Sequence, residues 1–350
     1  MFDFTRNAAR ALAAAAVSLL LVSCGGSDDT PAAPPLFQTT VVVGSSVVDI
    51  GNRCGSADPL CFPTPTYAGP STASNGPLFV QIIAARYGNP LAASSAGGFN
   101  YGVGGATTGV IPTDTVAQKL PNMQVQVEQY LQRVGFQANP QHLYIVDGAA
   151  LGNNVRRVLE LVSANPALAG PPTNLPTQAV TQAATDVFNI VLRLYAAGAR
   201  HVVLVNSVNL GVVPAIAASG ASAQQLATAM SVGIPGVSPG FNGALAGQVV
   251  PGIRASAPGL SLYYVDLGTL HAEILANPAA FNLTNVQAPC YPFFSAPAAP
   301  ICGTPGSYMW WDELHPTTAI HQIAAQRIIA AIGQYPAGLG KTAPSGAVFF

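Results

Sequence analysis

Charge is what this sequence has least of. Its 350 residues include 13 Lys and Arg and 14 Asp and Glu, so 8% are charged, against roughly 25% in an average protein. The formal net charge is −1 and there is no basic stripe, so nucleic acid is not an expected partner. Cysteine is scarce too, at five residues, with no C-x-x-C pair and no adjacent histidine cluster. That excludes the usual structural metal sites, and nothing calls for a nucleotide or organic cofactor. No internal repeat is visible.

What the chain does have is apolar mass and turn-formers. Half of its residues are hydrophobic, with 35 Gly and 30 Pro. A sizeable core, many turns and long loops follow. The surface must rely on Ser, Thr, Asn and Gln.

The N-terminus reads as a targeting segment. Arg6 and Arg10 precede an apolar run from Ala11 to Val22, which is too short to span a bilayer comfortably. It ends in Leu21-Val22-Ser23-Cys24, a box that resembles a bacterial lipoprotein signal. Residues 1–23 are then a signal peptide, Cys24 the lipidated residue and 24–36 a flexible tether. A simple secretory signal with an incidental cysteine is the alternative. Either way the expected location is outside the cytoplasm. The lipoprotein reading makes it a cell-envelope protein, on the outer membrane, touching the bilayer through its lipid anchor. In an oxidising compartment Cys54, Cys61, Cys290 and Cys302 allow three pairings; the short-loop pairing, Cys54–Cys61 with Cys290–Cys302, is the most economical.

Along the body, Val41-Val42-Val43 forms a buried strand and 53–76 a long loop. Helices are expected over Pro77–Tyr87, Met123–Val134, Ala179–Ala197 and Thr318–Ile332, and over 222–256 with a break near Gly233 to Gly240. Strands are expected over His142–Asp147, His201–Val205 and Leu260–Val265, with a short one near Gly97–Ala106 opening into a glycine-rich turn. Strands alternating with helices predict an α/β fold, a three-layer α/β/α sandwich around a mostly parallel sheet.

Two stretches carry chemistry. Gly44-Ser45-Ser46 follows the first strand, and in open α/β sheets reactive groups stand outside the carboxyl ends of strands. Near the C-terminus, Asp312-Glu313-Leu314-His315-Pro316-Thr317 sets an acid three residues before a histidine. A histidine acting as a base needs an acceptor on its other ring nitrogen, and an Asp on the same turn can supply it. Alone, D-x-x-H reads as a helix-capping loop, with Asp312 as the cap and His315 exposed; here its company is Ser46 and the glycine turn.

In these blocks the chain resembles the GDSL family of the SGNH hydrolase superfamily, over residues 37–336, with 337–350 a tail. Gly44 to Asn52 matches the family's G-D-S-L-S-D-x-G-N, which makes Ser46 the implied nucleophile. Asn100 to Thr107 matches N-x-A-V-G-G-A-T, which makes the N–H of Gly105 an implied oxyanion donor beside that of Ser46. Asp312 to Thr317 matches D-x-x-H-P-T. Ser74-Asn75-Gly76-Pro77 and Gly198 to His201 are lesser echoes. The resemblance implies a serine ester hydrolase, of esterase or lipase type, with Ser46, His315 and Asp312 as a triad acting on a small-molecule or lipid ester.

There are two departures. Ser45 replaces the Asp of G-D-S. The third block expects G-x-N-D after a strand, where the Asn donates to the oxyanion. Counted from the strand, its place falls to Leu151; matched by letters, Gly152-Asn153-Asn154 supplies it through a loop bulge, or else both asparagines cap a helix. These departures motivate the alternative of a degenerate module that binds lipid or glycan without turnover. His142, His201, His271 and His321 have no comparable partners in sequence.

Overall fold

Four short parallel strands carry the core: β1 (Thr40–Val43), β2 (Leu143–Asp147), β3 (His201–Val205) and β4 (Ser261–Val265), hydrogen-bonded in the order β1-β2-β3-β4. The computed structural model describes residues 36–53, 72–114 and 120–333. The leader with Cys24, the tether up to residue 35, Cys54, Cys61 and the tail lie outside them. Val43 stands beside Val146, Val146 beside Leu204 and Leu204 beside Tyr264. All of β1 and β2 is buried. Such continuous aliphatic runs belong to a sheet covered on both faces, and each buried valine contributes about 1.5–3 kcal/mol relative to exposure.

Parallel neighbours require crossovers. α1 (Phe79–Arg86) and α2 (Met123–Arg133) lie between β1 and β2. α3 (Leu151–Ala164) and α4 (Leu175–Ala196) lie between β2 and β3. Between β3 and β4 run α5 (Pro214–Ala217), α6 (Ala221–Ser231), α7 (Gly240–Ala244), a π-helical turn (Leu245–Val249) and α8 (Val250–Ser256). α9 (Leu267–Ala276) follows, then a second sheet of β5 (Asn285–Pro289) and β6 (Tyr308–Trp310), and finally α10 (Thr318–Gly333). α1 packs on α10, while α4 gathers α2, α3, α6, α7 and α8 around it. The result is the expected three-layer α/β architecture with a parallel sheet.

Several local expectations change. The strand expected near Gly97–Ala106 is reduced to single bridges from Asn100 to Val42 and to Ala93. The side chain of Asn100 donates to Val48 O at 2.6 Å and accepts from Gly102 N at 3.0 Å, which turns the chain away from the ladder. The helix expected from Ala179 starts earlier, at Leu175, with Pro176 in its first turn, where a missing N–H costs nothing. α9 and the β5–β6 pair were not anticipated. Cys290 and Cys302 form a disulfide across the β5–β6 connection.

Candidate active site

The carboxyl end of β1 delivers Gly44-Ser45-Ser46 into a tight turn, in which Val48 N donates to Ser45 O at 3.2 Å and Asp49 N to Ser46 O at 3.3 Å. The Gln126 amide of α2 brackets Gly44, accepting from its N at 2.8 Å and donating to its O at 2.9 Å. Position 44 must be glycine because a Cβ there would stand 2.4 Å from that of Asp147. Ser45 is buried and turns away, donating through N and Oγ to Asp147 Oδ2 at 3.1 and 2.9 Å. Ser46, the partly exposed member, lies on a cavity wall.

Across that cavity, His315 Nε2 lies 2.9 Å from Ser46 Oγ. Its Nδ1 lies 2.9 and 2.8 Å from the two oxygens of Asp312. Asp312 is fully buried, and its Oδ1 also accepts from Leu314 N and His315 N, both at 2.7 Å. The loop is closed by Trp311 N donating to His315 O at 2.7 Å. The Ser74–Pro77 segment pins it from outside: Ser74 Oγ donates to Pro316 O at 2.8 Å, and Asn75 Oδ1 accepts from Thr318 N at 2.8 Å.

The glycine turn is held by the loop that carries Ser46. Asp49 is buried and accepts from the N–H groups of Gly51, Asn52, Arg53 and Gly104 at 2.8–3.1 Å. Burial pushes its carboxyl above the usual range while those N–H groups pull it back. Asn52 Nδ2 donates to Asn100 O at 2.7 Å and Gly102 O at 2.8 Å. Gly105 reaches the cavity at φ +85°, where a Cβ would stand 2.7 Å from the Arg53 guanidinium.

In the third block the extra residues between strand and helix form one 3-10 turn, Gly148–Ala150. α3 starts at Leu151, which is buried away from solvent, and both asparagines fall in its first turn. Neither caps the helix. Asn153 lines the cavity beside Gly105 and donates to Ala106 O at 2.9 Å, leaving its second amide hydrogen for a ligand. Asn154 is buried and engages Thr108 twice, donating to Oγ1 at 3.0 Å and accepting from N at 3.1 Å. The two asparagines therefore separate: one faces the cavity and the other braces the loop.

The remaining histidines have other settings. His321 Nδ1 accepts from Phe79 N at 3.3 Å; burial, then the nearby His315, push it down to about 3. Burial pushes His271 down to about 4 as it lies edge-on to Trp310. His201 approaches Tyr263, and His142 packs against Phe99 and Tyr144.

Nothing in the sequence pointed to Glu313. Its carboxylate accepts from Phe294 N at 3.1 Å, Ser295 N at 2.8 Å and Ser295 Oγ at 2.5 Å. Burial pushes it up, but the Ser295 hydroxyl and the N–H donors outweigh burial and hold it below the usual range. The disulfide-closed segment is thereby tied to the histidine loop, with Phe294 at the cavity rim. Gln126 and Asp147 were equally unforeseen. The cavity has a volume of about 780 Å³, and Leu159, Val208, Leu210, Ile216, Leu226, Leu270 and Ile274 give it a largely apolar wall.

Comparison with known proteins gives a family. Residues 41–328 match the model of the family described as GDSL-like Lipase/Acylhydrolase. The chain is 30% identical over 148 residues to GDSL esterase/lipase At5g63170 of Arabidopsis thaliana, covering 42% of this chain and 40% of that protein. It is 25% identical over 150 residues to GDSL esterase/lipase At1g71691 of the same plant, covering 39% and 36%. The chain thus spans about two fifths of the length of these curated relatives. Both are plant proteins, so the bacterial character read into the leader finds no support in them. With its Gly44–Ser46 turn, glycine turn and D-x-x-H-P-T loop all inside the matched region, the chain belongs to the GDSL-like lipase/acylhydrolase family.

Proposed function

We propose that this protein hydrolyses carboxylic esters through an acyl-enzyme on Ser46. The observation that carries the reading is the 2.9 Å contact from Ser46 Oγ to His315 Nε2, continued through Nδ1 to buried Asp312. Ser46 Oγ attacks the ester carbonyl while His315 takes its proton, and Asp312 holds the ring in the tautomer that permits this. The oxyanion of the tetrahedral intermediate is met by the N–H groups of Ser46 and Gly105 and by the free amide hydrogen of Asn153. His315 then protonates the leaving alkoxide, and water repeats the sequence on the acyl-enzyme.

The apolar cavity supports a substrate with an alkyl acyl part. Its walls suit an alkyl chain, and each methylene buried contributes about 0.8 kcal/mol, about fourfold in kcat/KM. A panel of p-nitrophenyl esters from acetyl to dodecanoyl, run on the protein and on Ser46→Ala, tests both statements. Rates should rise with acyl length and vanish in the variant. Equal rates in both proteins would end the reading. A fluorophosphonate that fails to label Ser46 would favour the non-catalytic binding module, which the placement of Leu151 at the expected Asn position supports. The leader sequence supports attachment through lipidated Cys24, and Cys24→Ala should move the protein from the detergent to the aqueous phase on extraction.

A further inference from the structure

We propose that Asp147 is a positioning residue for the nucleophile, supplying from β2 the carboxyl that the G-D-S block would carry at position 45. This rests on the ester-hydrolase reading above. Asp147 ends β2, one residue beyond the Val43–Val146 pairing, so it stands level with the start of the Ser46 turn. It has no exposed surface, and Ser45 has almost none. Oδ2 receives both Ser45 N and Ser45 Oγ, and Oδ1 receives Ala149 N at 2.9 Å. Among the described residues no basic side chain pairs with it. A buried carboxyl without a cation is costly, and apolar packing is usually the cheaper solution at such a place.

What this group does is fix the residue next to Ser46. Ser45 has two donors on one carboxyl oxygen, so neither its peptide nor its side chain can rotate without breaking a buried bond. Gly44, on the other side, is bracketed by Gln126 and has its Cα packed against Asp147. The Ser46 peptide, whose N–H faces the oxyanion and whose Oγ meets His315, inherits its orientation from these contacts. The same side chain reaches Ala149, another cavity-lining residue, so one carboxyl ties the nucleophile turn to the β2–α3 connection. The serine at position 45 and the acid at 147 form a pair in which hydroxyl and carboxyl have complementary roles, whichever strand carries which.

An exchange experiment tests this. Asp147→Ser, Ser45→Asp, Ser45→Ala and the double exchange Ser45→Asp/Asp147→Ser are compared by fluorophosphonate labelling rate at Ser46, kcat and KM on p-nitrophenyl butyrate, and thermal unfolding. Displacing a reacting group by about 1 Å costs about 10²-fold. Asp147→Ser and Ser45→Asp should therefore lose about ten- to a hundredfold in labelling rate and kcat with KM within about twofold, and the double exchange should recover at least about tenfold. Should Asp147→Ser fail to fold, Ser45→Ala gives the decisive kcat-against-KM split. Single variants that keep wild-type kcat, a double exchange no better than either single, or losses that follow the folded fraction alone would overturn the positioning role. If the wild-type protein is not labelled at Ser46, the ester-hydrolase reading fails and this proposal with it.

Discussion

The Ser46 turn and the Asp312–His315 loop meet at one hydrogen bond but are stabilised in opposite ways. The histidine loop is mostly self-sufficient. Asp312 accepts from the backbone of the next residues and from the imidazole three positions on, and Trp311 N closes the loop on His315 O. The serine turn depends on distant side chains. Gln126 comes from α2, Asp147 from β2, and Asn100 from the far side of Val48. A local device fixes His315, and a tertiary device fixes Ser46. Damage to the first should change the chemistry within a few residues, whereas damage to the second can originate a hundred positions away.

The largest expected effect lies in the local device. Asp312→Asn keeps the shape of the loop but favours the wrong imidazole tautomer, and should lower kcat about 10⁴-fold with little change in KM on a p-nitrophenyl ester. A decrease of only a few-fold would show that Asp312 does not set the imidazole tautomer. Next comes the third block, where the two asparagines separate function from support. Asn153→Ala should lower kcat by about 10²–10³ as an oxyanion donor is lost. Asn154→Ala should instead leave kcat nearly intact and lower stability by about 1–3 kcal/mol in urea melts, since Thr108 N and Oγ1 lose a buried partner. The opposite pattern would return the donor role to Asn154.

Smaller effects concern the supports. Glu313 is held below its usual range in the folded protein. Its contribution is therefore present above the unfolded-state value and lost as pH falls through the folded one. Glu313→Gln should lower the melting temperature at neutral pH and make progressively less difference as pH falls below the unfolded-state value. Activity should fall modestly, because the Phe294–Ser295 segment is released from the cavity rim. The last effect, seen only at acid pH, belongs to His321. Burial and its neighbour hold it neutral, down to about 3 in the folded chain. The unfolded chain takes up a proton near pH 6.5, so this group's stabilisation is present above that point and declines as pH falls from there toward 3. His321→Phe should flatten the melting-temperature profile over that interval, and an unchanged slope would show that His321 is not buried as described.

Much of the fold was legible because its signals are local. All four main strands carry aliphatic runs found within a residue of their observed ends, and α2 and α10 follow from spacing and flanking residues. The glycine segment at Gly97–Ala106 misled because alternation there is broken by side-chain bonds from Asn52 and Asn100, which no pattern of polarity encodes. The site was legible where the motif is continuous. Asp312 and His315 announce each other at three residues' spacing. Ser46 needed the comparison of blocks to be preferred over Ser45, and the structure shows how the two serines differ: Ser45 is turned into the interior onto Asp147, and Ser46 toward His315.

The sequence by itself determined the alternation of strand and helix, the candidate nucleophile and base, and the acid that orients the base. Each depends on hydrophobic periodicity or on a spacing of a few residues, and such information survives in one dimension. Only the tertiary structure decided that Asn153 and not Asn154 faces the cavity, that Glu313 ties the disulfide loop to the histidine, and that Asp147 supports Ser45. Those relations join residues 18 to 102 positions apart, and they exist because the parallel sheet brings the carboxyl ends of separate strands to one rim.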